Sequence, residues 1–172
     1  IGCCNGNASI TLYYIWDSIL TPEGGKLRVN LLMSRASPWA DVSSHLPYEG
    51  KVPVQMKAPR DEVLIRIPEW TNWNKVMCRV NGVTRNYDWS GGYINVGAVE
   101  TEDEIVVEFP MKQRKISSNF PEVFHQVFFA GGEEYKVTLR GNTVIDMTPD
   151  MGYPISRHAR YSGKTTPLKK VE

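Results

Sequence analysis

The first twenty residues carry apolar side chains at the spacing of a helix. Between Ala8 and Leu20 the apolar positions recur at intervals of three and four: Leu12, Ile15, Trp16, Ile19 and Leu20. This spacing predicts one face of an amphipathic α-helix. Asn5 and Asn7 suit its N-cap, and Thr21-Pro22 followed by Gly24-Gly25 is predicted to end it. A lone helix of this length is marginal in water, so we expect it to need a partner that covers its apolar face.

From Lys26 onward the hydrophobic period changes to two, which is typical of strands. The predicted strands are Leu27 to Leu31, Val52 to Met56, Val63 to Ile67, Val76 to Val80, Tyr93 to Val96, Ile105 to Phe109, Val123 to Phe129, Tyr135 to Arg140 and Thr143 to Met147. The predicted turns are Asn81-Gly82, Gly91-Gly92, Gly131-Gly132 and Gly141-Asn142. Many short strands at this spacing favour a mostly β fold, an antiparallel sandwich or barrel. Residues 111–119 are interpreted as a connection between two groups of strands.

Composition narrows the class of protein. The 172 residues have a net charge of +1, with 41% hydrophobic and 23% charged residues. These values disfavour a basic nucleic-acid module and an intrinsically disordered chain. No apolar run approaches the roughly 18 to 20 residues that cross a bilayer, so no membrane partner is expected. Three cysteines are too few for a disulfide scaffold, which favours a reducing, cytoplasmic compartment. Because the chain starts at Ile1, we expect it to be truncated or processed.

The adjacent cysteines Cys3 and Cys4 carry the most distinctive chemistry. They precede the predicted helix, where unpaired backbone N–H groups and the helix dipole stabilise a thiolate. Thiolates are good nucleophiles and good zinc ligands. They are also small apolar residues suited to a helix start, so both interpretations stay open. A structural zinc site takes about four ligands, and further ligands would have to come from outside this chain. Cys78, inside a predicted strand, is expected to be a buried core thiol.

Other polar and aromatic candidates carry weaker signals. The histidines lack a paired ligand spacing and are expected at the surface or in structural roles: His45, His125 and His158. Asp17 is expected to be a solvated or capping carboxylate. Glu69 and Asp88 each neighbour a tryptophan, which could indicate sugar stacking, although Trp70, Trp73 and Trp89 could equally cover the ends of a sandwich. The basic ending, which contains Lys164, Lys169 and Lys170, is interpreted as a solvated tail.

Several segments together resemble one family. Gly2-Cys3-Cys4-Asn5-Gly6-Asn7, followed by Leu12-Tyr13-Tyr14-Ile15-Trp16-Asp17, resembles the last barrel helix of glycoside hydrolase family 127, the β-L-arabinofuranosidase family. Landmarks that are similar to its β-sandwich region follow in order: Val29-Asn30-Leu31, Ile65-Arg66-Ile67-Pro68-Glu69-Trp70, Val80-Asn81-Gly82, Gly92-Tyr93 and Phe109-Pro110-Met111. The likeness covers most of residues 1–112.

This resemblance implies an (α/α)6 barrel that carries the active site, followed by β-sandwich domains. Residues 1–21 would be the last barrel helix, and residues 26–172 the sandwich region, with a break near 111–120. By position, Cys3 would be the nucleophile and a zinc ligand, and Cys4 a second zinc ligand. The remaining ligands, a glutamate and a cysteine, and the glutamate acid/base would lie upstream in the missing barrel.

The implied chemistry is retaining glycoside hydrolysis with a thiolate nucleophile. The substrate of the full-length parent would be a glycan with an arabinofuranosyl or related plant sugar. Because this chain holds only the nucleophile and one further zinc ligand, we expect it to be inactive by itself.

A second hypothesis is a non-catalytic β-sandwich module, which binds carbohydrate through exposed tryptophans or mediates protein contacts. The helix with Cys3 and Cys4 separates the two hypotheses, since an independent module has no use for half a metal site. The sequence upstream of Ile1 in the source gene would decide between them.

Overall fold

A computed structural model describes residues 3–119 and 134–148 and divides the chain into two compact units, Ile1–Pro110 and Met111–Glu172. The sequence predictions for Val123 to Phe129, the Gly131-Gly132 turn, His125, His158 and the basic ending lie outside the described residues. No helix within the described ranges is long and apolar enough to cross a membrane.

The first unit consists of one helix and two five-stranded sheets. The helix is α1 (Cys3–Asp17), and a 3₁₀ turn occupies Trp73–Lys75. The first sheet contains β1 (Leu20–Glu23), β2 (Lys26–Val29), β5 (Glu62–Arg66), β8 (Asp88–Ser90) and β9 (Tyr93–Asn95), in the order β1-β2-β5-β9-β8. The second contains β3 (Ala40–Val42), β4 (Lys51–Met56), β6 (Met77–Val80), β7 (Val83–Thr84) and β10 (Glu104–Glu108), in the order β3-β4-β10-β6-β7.

Alternating burial explains why these strands form a sandwich. In β4 of the second sheet every second residue is buried, and β10 of the same sheet and β2 of the first sheet follow the same period. Each sheet therefore has one apolar face, and the two faces supply the core. Its fully buried members include Leu27, Val29, Val52, Val54, Met56, Val63, Ile65, Ile94, Ile105 and Val107. The expected antiparallel sandwich is confirmed. One pair differs: β2 and β5 are parallel, because β3 and β4 of the second sheet lie between them in the sequence.

The helix ends earlier than the sequence pattern predicts. It stops at Asp17 instead of Leu20, and the residues interpreted as its stop signal form β1. The physical reason is burial: Ile19 and Leu20 are 1% and 2% exposed, and they belong to the sandwich core. Gly24, with a φ of 59°, makes the tight turn from β1 into β2. Pro22 is compatible with a strand here because β1 lies at the edge of its sheet.

The glycine-containing turns of the described residues are confirmed. Asn81 and Gly82 have φ values of 51° and 77° and connect β6 to β7, as expected for a two-residue hairpin. The side-chain N–H of Asn81 also donates to a carboxylate oxygen of Asp103 at 2.7 Å, and the Oδ1 of Asn81 accepts a hydrogen bond from Glu104 N at 2.9 Å. These contacts fasten the hairpin to β10.

The second unit contains a three-stranded antiparallel sheet: β11 (Gln113–Asn119), β12 (Glu134–Arg140) and β13 (Thr143–Thr148). The connection expected at residues 111–119 is therefore mostly a strand. Its sequence is polar except for Ile116, so the hydrophobic pattern does not reveal it. Backbone pairing of all seven of its residues with β12 accounts for the strand.

Cys78 occupies the core of the first unit, as predicted. Its side chain lies in β6 and the residue is 1% exposed. Burial raises the pKa of Cys78 to about 11, with a smaller opposing effect from Arg85. A protonated thiol in this place acts as a small apolar side chain.

We predict that Gly50→Ala destabilises the first unit by about 2–3 kcal/mol, because a Cβ there would collide with the backbone carbonyl oxygen of Phe109. Gly92→Ala is the matched control. Nothing lies within 4 Å of its Cβ position, so its free energy of unfolding should change by less than about 1 kcal/mol. Urea unfolding of both variants measures the difference, and equal midpoints would show that the Gly50 contact is unimportant.

We also predict a thiol contribution to alkaline destabilisation. The folded protein holds the Cys78 proton more tightly than the unfolded chain, whose thiol pKa is about 8.5. This stabilisation is complete below that value and is lost as the pH rises towards about 11. Between pH 8 and 10 the wild type should therefore lose more unfolding free energy than Cys78→Ala, although the variant is less stable at pH 7. Parallel pH profiles for the two proteins would contradict the prediction.

Candidate functional site

The structure places Cys3 and Cys4 in the first turn of α1, so the helix begins before the Ala8 boundary that the pattern predicts. Only the backbone of these two residues is described. The first turn is where the backbone N–H groups lack helical partners and the helix dipole is positive, and both effects favour a thiolate.

The side chains of α1 from Gly6 to Asp17 are exposed throughout. Its exposed apolar residues are Ile10, Leu12, Tyr13, Tyr14, Ile15 and Trp16. At about 100° per residue these six positions fall on every side of the helix, so the apolar surface is wider than the single face predicted. A helix that is apolar all round is typical of a buried helix in a larger core.

Asn30 holds the residues that follow the helix. Its backbone N–H donates to the carbonyl oxygen of Ile19 at 2.9 Å, and its side-chain amide donates to that of Ser18 at 3.0 Å and to Thr21 Oγ1 at 2.9 Å. Its Oδ1 accepts a hydrogen bond from the Tyr93 hydroxyl at 2.8 Å. Asn30 thereby fixes the chain after α1 to the first sheet, through β9.

Arg35 holds the end of the helix itself. Its Nη1 donates to the carbonyl oxygens of Trp16 and Asp17, both at 2.7 Å, and these carbonyls belong to the last turn. Its guanidinium lies 4.0 Å from the centre of the Trp16 ring, and Nη2 lies 3.7 Å from Asp17 Oδ1. A cation at this end also interacts favourably with the helix dipole. Asp17 is thus an exposed partner of Arg35.

Sequence reasoning did not single out Asn30 and Arg35 as site residues. Asn30 and Tyr93 had a signal, because both belong to the landmarks that resemble the family, and the structure brings them into hydrogen-bond contact. Arg35 had no such signal, since its contacts are to residues 18 and 19 positions away in the sequence.

The remaining described candidates are dispersed over the first unit. His45 Nδ1 lies 3.4 Å from Glu49 Oε2, Glu69 is exposed next to Arg66, and Asp88 is exposed in β8. Trp70 packs edge-on against Phe109. None of these contacts brings a candidate residue to the first turn of α1.

Trp73 and Trp89 form a stacked pair. Their ring centroids are 4.8 Å apart with an interplanar angle of 11°, and the residues are 37% and 42% exposed. Tyr87 packs edge-on against Trp89. The pair is an exposed aromatic surface on the sandwich.

An open groove of about 640 Å³ runs beside β4, β6 and β10. Both of its lining carboxylates have partners: Glu108 pairs with Arg79 Nη1 at 2.6 Å, and Glu49 lies near His45. Such an arrangement offers no pair of carboxylates free for acid/base catalysis.

Zinc coordination needs more donors than the described residues supply. Among the described side chains, no group of three or more His, Cys, Asp or Glu could hold a metal ion. The thiols of Cys3 and Cys4 are donors of the right type, but a zinc site takes about four ligands, or three and a water. The described residues therefore do not complete a zinc site.

Comparisons with known proteins identify the fold. No family model and no curated protein matches the sequence. A solved structure described as a glycoside hydrolase is similar, with a TM-score of 0.60 and 19% identity over 83% of this chain and 25% of its own. Ara127N, a GH127 β-L-arabinofuranosidase from Geobacillus stearothermophilus T6, gives a TM-score of 0.56 and 20% identity over 83% of this chain and 23% of its own. The GH127 β-arabinofuranosidase BT3674 gives a TM-score of 0.50 and 20% identity over 73% of this chain and 23% of its own.

The chain thus spans about a quarter of the length of these structures. Most of the chain has the fold of a portion of GH127 structures, and the expected resemblance to this family is confirmed at the level of the fold.

Proposed function

We propose that this chain is the C-terminal portion of a retaining glycoside hydrolase and that Cys3 is the nucleophile of the full-length parent. The observation that carries the proposal is α1: an apolar helix, exposed on all sides here, bears the cysteine pair at one end and joins a sandwich of GH127 fold at the other. An upstream helical barrel would bury this helix, and the sandwich would support it.

The proposed reaction proceeds in two displacements. The Cys3 thiolate attacks the anomeric carbon of the sugar, a C–S bond forms, and the glycosidic C–O bond breaks. An acid in the upstream barrel protonates the leaving oxygen. Water, deprotonated by the same group, then displaces the sulfur, which returns as a thiolate and leaves the anomeric configuration unchanged.

The chain's own contribution is to hold Cys3 ionised and in place. The first turn of a helix is where the helix dipole and free N–H groups favour an anion, so this position would suit a thiolate. Zinc, if the upstream barrel completes its site with Cys3 and Cys4, would further stabilise the thiolate. By analogy with Ara127N and BT3674, the substrate would carry an arabinofuranosyl or related sugar.

We predict that Cys3→Ser in the full-length parent lowers kcat on an aryl β-L-arabinofuranoside by at least about 10³-fold, because a serine hydroxyl is a far weaker nucleophile at neutral pH. Cys78→Ala is the matched control, since it removes the thiol in the core of the sandwich. It should retain kcat within about twofold. Equal losses in the two variants, or full activity of Cys3→Ser, would contradict the assignment.

We predict that the 172-residue chain alone binds zinc at well below one equivalent after dialysis and does not hydrolyse the same glycoside. Metal analysis and an aryl-glycoside assay test both points. Stoichiometric zinc together with turnover by this chain would show that the active site does not need the upstream barrel.

A second candidate function rests on the Trp73–Trp89 pair, which offers an exposed aromatic surface to a sugar ring. A sandwich module that binds carbohydrate would lose glycan affinity in Trp89→Ala while keeping it in Val83→Ala, a substitution at another exposed position. Equal binding of both variants to arabinan in affinity electrophoresis would exclude this function.

A further inference from the structure

Two separate attachments determine how α1 projects from the sandwich. The first is covalent and short: only Ser18 and Ile19 separate the helix from β1, and Asn30 binds the carbonyl oxygens of both. Asn30 directly follows β2 and is bonded to Tyr93 of β9, so this attachment leads to the first sheet. A single attachment of this kind fixes the position of the helix end but leaves the direction of the helix free to pivot.

Arg35 supplies the second attachment, from the other sheet. Its backbone N–H donates to the Val42 carbonyl at 3.0 Å, and Val42 N–H donates back to the Arg35 carbonyl at 2.9 Å. Val42 lies in β3 of the second sheet and is buried. The Arg35 side chain reaches from this bridge to the Trp16 and Asp17 carbonyls, so it connects the last turn of α1 to the second sheet.

The buried state of Arg35 indicates a specific role. Its side chain is only 7% exposed, and its Nε is buried without a hydrogen-bond partner. A guanidinium in this environment costs desolvation energy, which the two 2.7 Å hydrogen bonds and the Trp16 ring offset. Both bonds come from Nη1, while the planar guanidinium also lies over the Trp16 ring and places Nη2 near Asp17. A lysine has a single nitrogen and no planar group, so it cannot make all of these contacts together.

From these observations, we propose that Arg35 is a positioning residue that fixes the direction of α1 and thereby the place of Cys3. Cys3 and Trp16 are 13 residues apart, about 20 Å along the helix, so a 10° swing at Arg35 moves Cys3 by about 3–4 Å. A displacement of about 1 Å from the attacking geometry can cost 10²-fold in rate. The consequence for catalysis rests on the proposed function, whereas the consequence for the helix direction does not.

The direction of the helix can be measured in this chain by spin-label distances. Labels at Ile10→Cys and Val83→Cys, both exposed positions, report α1 against β7 in a background of Cys3→Ser, Cys4→Ser and Cys78→Ala. We expect Arg35→Met and Arg35→Lys to broaden the distance distribution at least twofold. Arg66→Met, which removes an exposed arginine of β5, is the matched control and should leave it unchanged. An unchanged distance distribution in both Arg35 variants would overturn the proposal. If Arg35→Met does not fold, the distribution of Arg35→Lys decides the question by itself.

The second measurement separates positioning from general stability. In the full-length parent, Arg35→Lys should lower kcat at least about tenfold while KM stays within about twofold, because Cys3 is displaced and the proposed sugar-binding residues lie upstream. An unchanged kcat in an active parent would overturn the role in catalysis. A parent without glycosidase activity would overturn the proposed function instead, and the spin-label distances would still decide whether Arg35 directs the helix.

Discussion

The change from helix to strand at Ser18 and Ile19 is the constraint on which the rest of the first unit depends. The helix must end with its last carbonyl groups satisfied, and the next residues must enter the core at once. Arg35 and Asn30 supply the donors, and burial of Ile19 and Leu20 supplies the driving force. One short segment therefore sets where α1 leaves the sandwich, where β1 begins, and in which direction α1 extends.

Under the proposed function, the same segment would give the sandwich a role beyond stability. A β-sandwich without catalytic groups can still serve a reaction if it holds one end of a helix whose other end carries the nucleophile. Asn30 and Tyr93, which stand 63 residues apart in the sequence, meet at this point, and both belong to the landmarks by which the chain resembles GH127.

Much of the fold could be predicted from the sequence because burial alternates along β2, β4 and β10, and because Asn81-Gly82 has the backbone preferences of a hairpin turn. The errors have physical causes. Pro22 and Gly24 look like a helix stop, yet the helix ends earlier because Ile19 and Leu20 are buried in the sandwich core. Pro22 then lies in an edge strand, which tolerates proline. Polar β11 is held by backbone pairing that no hydrophobic pattern reveals. The contacts of Arg35 are long-range, so only the folded chain shows them. The roles of Cys3 and Cys4 came from a resemblance, and they stay a prediction.

The most direct test of the central claim is to identify the residue that becomes glycosylated during turnover. The full-length parent would be acid-quenched with an activated aryl β-L-arabinofuranoside, digested, and analysed by tandem mass spectrometry. The account predicts one pentosyl addition on the sulfur of Cys3, with Cys4 and Cys78 unmodified. Turnover with the sugar attached to another residue would contradict the account, and so would turnover with inversion at the anomeric carbon.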